Sequence, residues 1–221
     1  MTTPTLVCCS HGTASLPGRA VISGIARRAA EILDVPHAET YVDVQHPRVD
    51  EVVAALPGPS LVVPLLLSPG FHTQVDIGRA VAEGTDAVAA QTLGPHPALA
   101  AILAERVRAL GPADAVVLAA AGSSRPESAA CVREMRDALA ELVDLPVSVG
   151  FAYGATPRAA DAVSAARAAG ARQVVVASYV LAPGHFADLV AAAGADAVTA
   201  PVGTDPRVAE IVAERYRAAL P

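Results

Sequence analysis

Two kinds of hydrophobic pattern alternate along the chain. Short continuous apolar runs, such as Thr5-Leu6-Val7-Cys8-Cys9, Leu61–Leu67, Ala115–Ala121 and the run opening at Val175, each lead into a loop marked by Gly or Pro. Between them lie longer Ala-rich stretches in which apolar residues recur every three or four positions: Gly18–Leu33, Arg48–Leu56, Val75–Glu83 and Pro97–Leu110 in the first half. The first kind predicts buried strands and the second amphipathic helices. Thr40-Tyr41-Val42-Asp43 reads as a further strand closed by Asp43. Apolar strands joined by helical crossovers imply a parallel sheet with helices on both faces and right-handed connections.

The pattern repeats once, at an offset near 110 residues. Gly12 matches Gly122, Pro36–Pro47 matches Pro146–Pro157, and Leu61–Gly70 matches Val175–Gly184. Ile102-Leu103-Ala104-Glu105-Arg106 returns as Ile211-Val212-Ala213-Glu214-Arg215. Four matches in one order make chance a poor explanation. The fold class is therefore α/β with internal duplication. The boundary is expected at the turn residues Gly111-Pro112, giving domains 1–111 and 112–221. Loops after Cys9, Tyr41 and Leu67, and their second-half counterparts, are expected along one edge of each sheet, where open α/β sheets bind ligands.

Composition narrows the function classes. Hydrophobic residues make up 53%, aromatics 3% and Trp is absent, so Ala-rich helices pack on Val-rich strands. A net charge of −6 disfavours nucleic acid, whose binding relies on Lys and Arg neutralising phosphates. The apolar runs fall short of the roughly 20 residues that span a bilayer, and no basic segment precedes a signal-like stretch, so no membrane partner and a cytoplasmic location are expected. Cys8, Cys9 and Cys131 lack metal-knuckle spacing and read as buried thiols.

The candidate chemistry sits at the predicted strand ends of the first half. His11 follows the first strand, His72 lies beyond Leu65-Leu66-Leu67-Ser68-Pro69-Gly70 just before a helix expected from about Thr73, and Asp43 closes the strand between them. Two imidazoles and a carboxylate at one sheet edge form a candidate facial metal site, because imidazole suits iron, cobalt, nickel and zinc and a carboxylate orients a His or takes a proton. In the second half Ala121 replaces His11 and Tyr153 replaces Asp43. His185 nearly matches His72 and is a candidate accessory ligand. Ser10 and Thr13 flank His11, and Ser123, Ser124 and Arg125 offer hydroxyls, N–H groups and a guanidinium to an anion; these five are candidate substrate contacts. For the latter loop, an ordinary helix cap before Pro126 is the alternative. His37, His46 and His96 stand beside prolines and read as solvated loop residues.

Ser10-His11-Gly12-Thr13, Tyr41-Val42-Asp43-Val44-Gln45-His46-Pro47 and above all Val62–Ile77 resemble the sirohydrochlorin chelatases of the CbiX and SirB type, class II chelatases related to ferrochelatase. The resemblance covers nearly the whole chain. It implies two Rossmann-like domains of chelatase-like fold, metal-binding histidines at His11 and His72, and an acidic residue, commonly Glu in the family, at Asp43. It implies insertion of Fe2+, for sirohaem, or Co2+, for a cobalamin precursor, into a sirohydrochlorin-type tetrapyrrole lying between the halves. Catalysis would rest on His11, His72 and Asp43. No permanently bound cofactor is expected, the divalent metal being substrate, with Ni2+ or Zn2+ as in vitro surrogates; the carboxyl-terminal Cys motif of some relatives is missing. Two rival readings stand beside this one. One is a non-catalytic carrier of metal or tetrapyrrole. The other is a histidine phosphatase-like hydrolase, which would want Arg where Ser10 stands.

Overall fold

A computed structural model describes residues 3–84 and 86–220. The strands and helices alternate as the apolar pattern predicts. The first half runs β1 (Thr5–Ser10), α1 (Leu16–Leu33), β2 (His37–Tyr41), α2 (Val49–Ala55), β3 (Ser60–Pro64), a π-helical turn (His72–Ile77) leading into α3 (Gly78–Glu83), β4 (Ala87–Ala89) and α4 (Pro97–Ala109). The second half runs β5 (Ala115–Ala120), α5 (Pro126–Val143), β6 (Val147–Phe151), α6 (Ala159–Ala168), β7 (Val174–Tyr179), α7 (His185–Ala191), β8 (Ala197–Val198) and α8 (Arg207–Ala218).

Each half forms a four-stranded parallel sheet, ordered β2-β1-β3-β4 and β6-β5-β7-β8. The inner strands β1, β3, β5 and β7 are the continuous apolar runs, and nearly all their residues are buried, as strands covered on both faces must be. The edge strands β2 and β6 are more polar and only partly covered. α1 buries Ile22, Ile25, Ala26, Ala29 and Ala30 on one stripe. Ser15 caps its start by accepting from Gly18 N at 3.2 Å, and Asp34 closes it in the left-handed conformation.

The chain packs as two compact units that do not coincide with 1–111 and 112–221. One comprises the chain up to Leu93 together with the segment from Pro206, and the other is Gly94–Asp205. Thus α4 packs with α5 and β7, whereas α8 packs with α1 and β3. Matching arginines hold the two helices. Arg106 donates to the carbonyls of Ala200 (2.8 Å) and Pro201 (2.5 Å), and Arg215 to those of Thr92 (2.8 Å) and Leu93 (3.1 Å). Duplicated halves offer equivalent docking surfaces, so a repeated helix docks on either copy with similar partners, which is the logic of a domain swap. The repeat therefore predicts where the sequence duplicates but not which copy each last helix joins.

The strand-end loops repeat in detail. Val42 N and Asp43 N donate to the carbonyls of Ser10 and His11, each at 3.0 Å. Ala152 N and Tyr153 N donate to those of Ala120 (2.8 Å) and Ala121 (2.9 Å). These bonds bring the turn after the edge strand against Gly12 (φ +93°) and Gly122 (φ +94°), where a Cβ would collide with the carbonyls of Asp43 and Tyr153 respectively. Only glycine satisfies both the conformation and the close approach. Gly122→Ala is accordingly expected to cost about 2 kcal/mol or more in urea unfolding; a loss below about 0.5 kcal/mol would contradict this loop packing.

Candidate functional site

Parallel pairing delivers the first-half chemistry to one place. β1 lies between β2 and β3, in register Ser10 with Tyr41 and Cys9 with Pro64. His11 leaves β1 at the carboxyl edge, and Leu65 continues beyond β3 with its N–H on the Cys9 carbonyl at 2.7 Å. The following loop is fastened by Thr73, whose Oγ1 donates to Gly70 O (2.8 Å) and accepts from Gly70 N (2.9 Å). That turn brings back His72. The rings of His11 and His72 stand edge to face with centroids 4.9 Å apart.

His72 opens the π-helical turn rather than preceding a helix, and Asp76 lies four residues further on the same face. His72 Nδ1 is 2.7 Å from Asp76 Oδ2. A carboxylate at that distance takes the Nδ1 hydrogen, which fixes the ring and leaves the Nε2 lone pair for a metal. The sequence reading missed Asp76. Its signal was the four-residue spacing from His72 in a segment already expected to be helical.

His11 is half-buried, and its Nδ1 lies 3.4 Å from the Gly12 carbonyl. Burial and, next, the charge of neighbouring His72 push its pKa below the ordinary 6.5, while the Gly12 carbonyl and Asp43 act in the opposite sense. The neutral form of His11, the one with a ring nitrogen lone pair to offer, therefore persists to lower pH than that of a free imidazole.

Asp43 does not complete a facial triad. It stands two residues past the end of β2, exposed, with Oδ1 accepting from Val44 N at 2.8 Å and Arg48 Nη1 3.9 Å away. That N–H bond, with lesser help from His11, Arg48 and His72, holds its carboxyl below the usual range, so it stays ionised beside the imidazoles. Among the described residues no three His, Cys, Asp or Glu side chains converge to hold a metal. The expected three-ligand set is thus corrected to a pair of imidazoles flanked by carboxylates. Such an open arrangement differs from a closed structural zinc site with four protein ligands.

Other predicted residues fall elsewhere. Ser10 is 3% exposed and its Oγ is enclosed without a hydrogen-bond partner, so it is removed from the expected substrate contacts. Its position in an inner strand, walled on both faces, explains this. Thr13 joins the loops instead: its N–H donates to Gln45 Oε1 at 2.8 Å and its Oγ1 accepts from Ser15 N at 3.1 Å. In the second unit Ser123 Oγ accepts from Arg125 N at 3.2 Å, directly before Pro126 opens α5, and Ser124 is exposed. His185 also belongs to that unit. It is exposed beside Phe186, with ring centroids 5.5 Å apart, and Leu189 occupies the position equivalent to Asp76. His96 is a helix cap and not a solvated loop residue, its Nδ1 accepting from Ala98 N at 3.2 Å. Cys8, Cys9 and Cys131 are buried free thiols, as expected; burial pushes Cys9 up to about 12 and raises Cys8 as well.

Two exposed apolar residues lie in the loops that carry the site, Phe71 and Val44. Phe71 lies with its ring centroid 5.8 Å from that of His72. Val44 follows Asp43 in the left-handed conformation (φ +57°), which costs an L-residue about 1 to 2 kcal/mol.

The CbiX family model matches residues 5–110 and 115–219. The chain belongs to the CbiX family. The match in two copies is the duplication read from the sequence. A search of curated proteins gave no match. Among solved structures, SirB from Bacillus subtilis with Fe3+ superposes with a TM-score of 0.79 at 19% identity, covering 98% of this chain and 95% of that one. The sirohydrochlorin chelatase SirB from Bacillus subtilis subspecies spizizenii in complex with cobalt gives 0.79 at 17%, covering 98% and 94%. CbiX, described as the terminal enzyme for siroheme biosynthesis in denitrifying bacteria, gives 0.72 at 22%, covering 98% and 100%. The duplicated chelatase fold is thereby established for this CbiX protein. Among its described residues, no helix is long and apolar enough to cross a membrane.

Two outcomes follow for the imidazole pair. Asp76→Ala removes the acceptor that orients His72, and is expected to weaken Co2+ binding by about 10- to 100-fold in calorimetry without tetrapyrrole. An unchanged affinity would separate Asp76 from the site. In NMR titrations the His11 ring is expected to protonate below 6.5 and to move upward in His72→Ala, because the neighbouring positive charge is gone. A His11 midpoint unmoved by that substitution would show that the rings do not sense each other.

Proposed function

We propose that this CbiX protein is a sirohydrochlorin chelatase that inserts Fe2+ or Co2+ into the tetrapyrrole, with His11 and His72 as metal ligands and proton acceptors. The observation that carries the proposal is the imidazole pair, 4.9 Å between ring centroids, at the carboxyl edge of the first sheet. Family membership supports the reaction class, and the structural relatives seen with Fe3+ and with cobalt support the two metals.

Insertion exchanges one M2+ for two pyrrole protons, so the site must first hold a dication and then receive protons. Neutral imidazoles do both in turn. His72, with Nδ1 engaged by Asp76, presents Nε2 to the metal. Depressed basicity keeps His11 unprotonated while the metal is held. As the dication passes to the ring nitrogens, the two pyrrole protons leave in turn through a freed imidazole, His11 or His72, and on to solvent. The nearby Asp43 carboxylate, kept ionised, stabilises the imidazolium that results. Two protein ligands hold the ion weakly enough to release it; a closed four-ligand cage would deepen the ground state and raise the barrier to transfer.

The test is an anaerobic absorbance assay with sirohydrochlorin and Fe2+ or Co2+. Wild type is expected to exceed the uncatalysed rate, with His11→Ala and His72→Ala each losing at least about 100-fold, as for removal of a general acid–base group. A wild-type rate equal to the uncatalysed one would remove the chelatase reading. Full activity in both variants would remove the ligand assignment.

A further inference from the structure

Among the described residues, four other than glycine adopt positive φ: Asp34, Val44, Asp86 and Asp144. Three are aspartates, a residue type that tolerates the left-handed region, and Asp34 and Asp144 close helices there. Val44 is the exception, because a β-branched side chain in this region is a steric outlier.

The duplication supplies an internal control. In the second half the same position is Gly154, at φ +68°. The two loops share their bonding: Gln45 N donates to the Asp43 carbonyl at 2.5 Å, and Ala155 N to the Tyr153 carbonyl at 2.9 Å. The loop thus requires a left-handed residue, and glycine meets that need without strain. The first copy carries valine instead, and its side chain is 55% exposed, so core packing does not account for it. The copy that keeps the strained valine is also the copy with the imidazoles. Val44 directly follows Asp43, whose N–H is bonded to the His11 carbonyl. Phe71, 48% exposed, stands against the His72 ring. Two loops therefore each carry an exposed apolar residue, one following Asp43 and one against the His72 ring. Strain kept at a functional edge for the sake of an exposed side chain indicates contact with a ligand.

We infer that Val44, together with Phe71, is a contact residue for the apolar face of the tetrapyrrole, and that the strained conformation is retained to present it. This rests on the chelatase reading above. A flat macrocycle with charged arms at its rim matches such a surface, since apolar side chains take the face and displace water while the imidazoles address the ring centre.

The test measures equilibrium binding of metal-free sirohydrochlorin by anaerobic absorbance titration, with thermal midpoints, for wild type, Val44→Gly, Val44→Asn and Val44→Ile. Asn keeps the left-handed conformation while removing the apolar surface, and Ile keeps the surface. Gly and Asn are expected to raise Kd about five- to tenfold, as for loss of an apolar contact of this size, and to raise the midpoint by about 2 to 4 °C through relief of strain. Ile is expected to bind within about twofold of wild type. Wild-type affinity in both Gly and Asn would overturn the contact. Weakening in Gly alone would overturn it too, by assigning the effect to loop stiffness. Tetrapyrrole binding without metal insertion would sink the chelatase reading while leaving the contact supported, and no binding by wild type would overturn both.

Discussion

Parallel pairing of β1 with β3 is the constraint on which the site depends. Two parallel neighbours must release the chain at the same edge, so whatever follows Ser10 and whatever follows Pro64 emerge side by side. His11 is the first residue past β1, and His72 returns to the same edge at the head of the π-helical turn. Continuous apolar sequence in both strands holds the pair in the sheet interior, where no register slip is tolerated without moving polar groups inward. The imidazole pair is thus a consequence of sheet order, with the Asp76 carboxylate adding the last degree of orientation.

The two copies separate scaffold from chemistry. Both keep a glycine against the carbonyl of the neighbouring loop, and both keep an arginine over that loop. In the first copy Arg48 stands near the Asp43 carboxylate; in the second Arg158 lies over the Tyr153 ring at 5.5 Å. The same position has exchanged an ionic neighbour for an aromatic one without disturbing the backbone. His11 against Ala121 and Val44 against Gly154 follow the same division. What the second copy dispenses with is the set of side chains proposed above to meet the metal and the macrocycle.

The order of elements, the duplication and the meeting of His11 and His72 were legible because apolar runs and glycines report directly on buried parallel strands and their exits. Three things were not. The exchange of α4 and α8 between units leaves no trace in a pattern whose two copies present equivalent surfaces. The enclosure of Ser10 follows from its place in a strand covered on both faces, where alternation carries no information. The outward course of Asp43 depends on a turn stabilised by its own carboxylate on Val44 N, which spacing does not reveal. Asp76 was legible in principle, as the fourth residue after His72 along a helical turn.

X-ray absorption at the cobalt edge of the Co2+-loaded protein, without tetrapyrrole, addresses the central claim most directly. Two imidazole scatterers are predicted for wild type and one each for His11→Ala and His72→Ala. A wild-type spectrum without imidazole scattering, or one left unchanged by both substitutions, would contradict a shared ion.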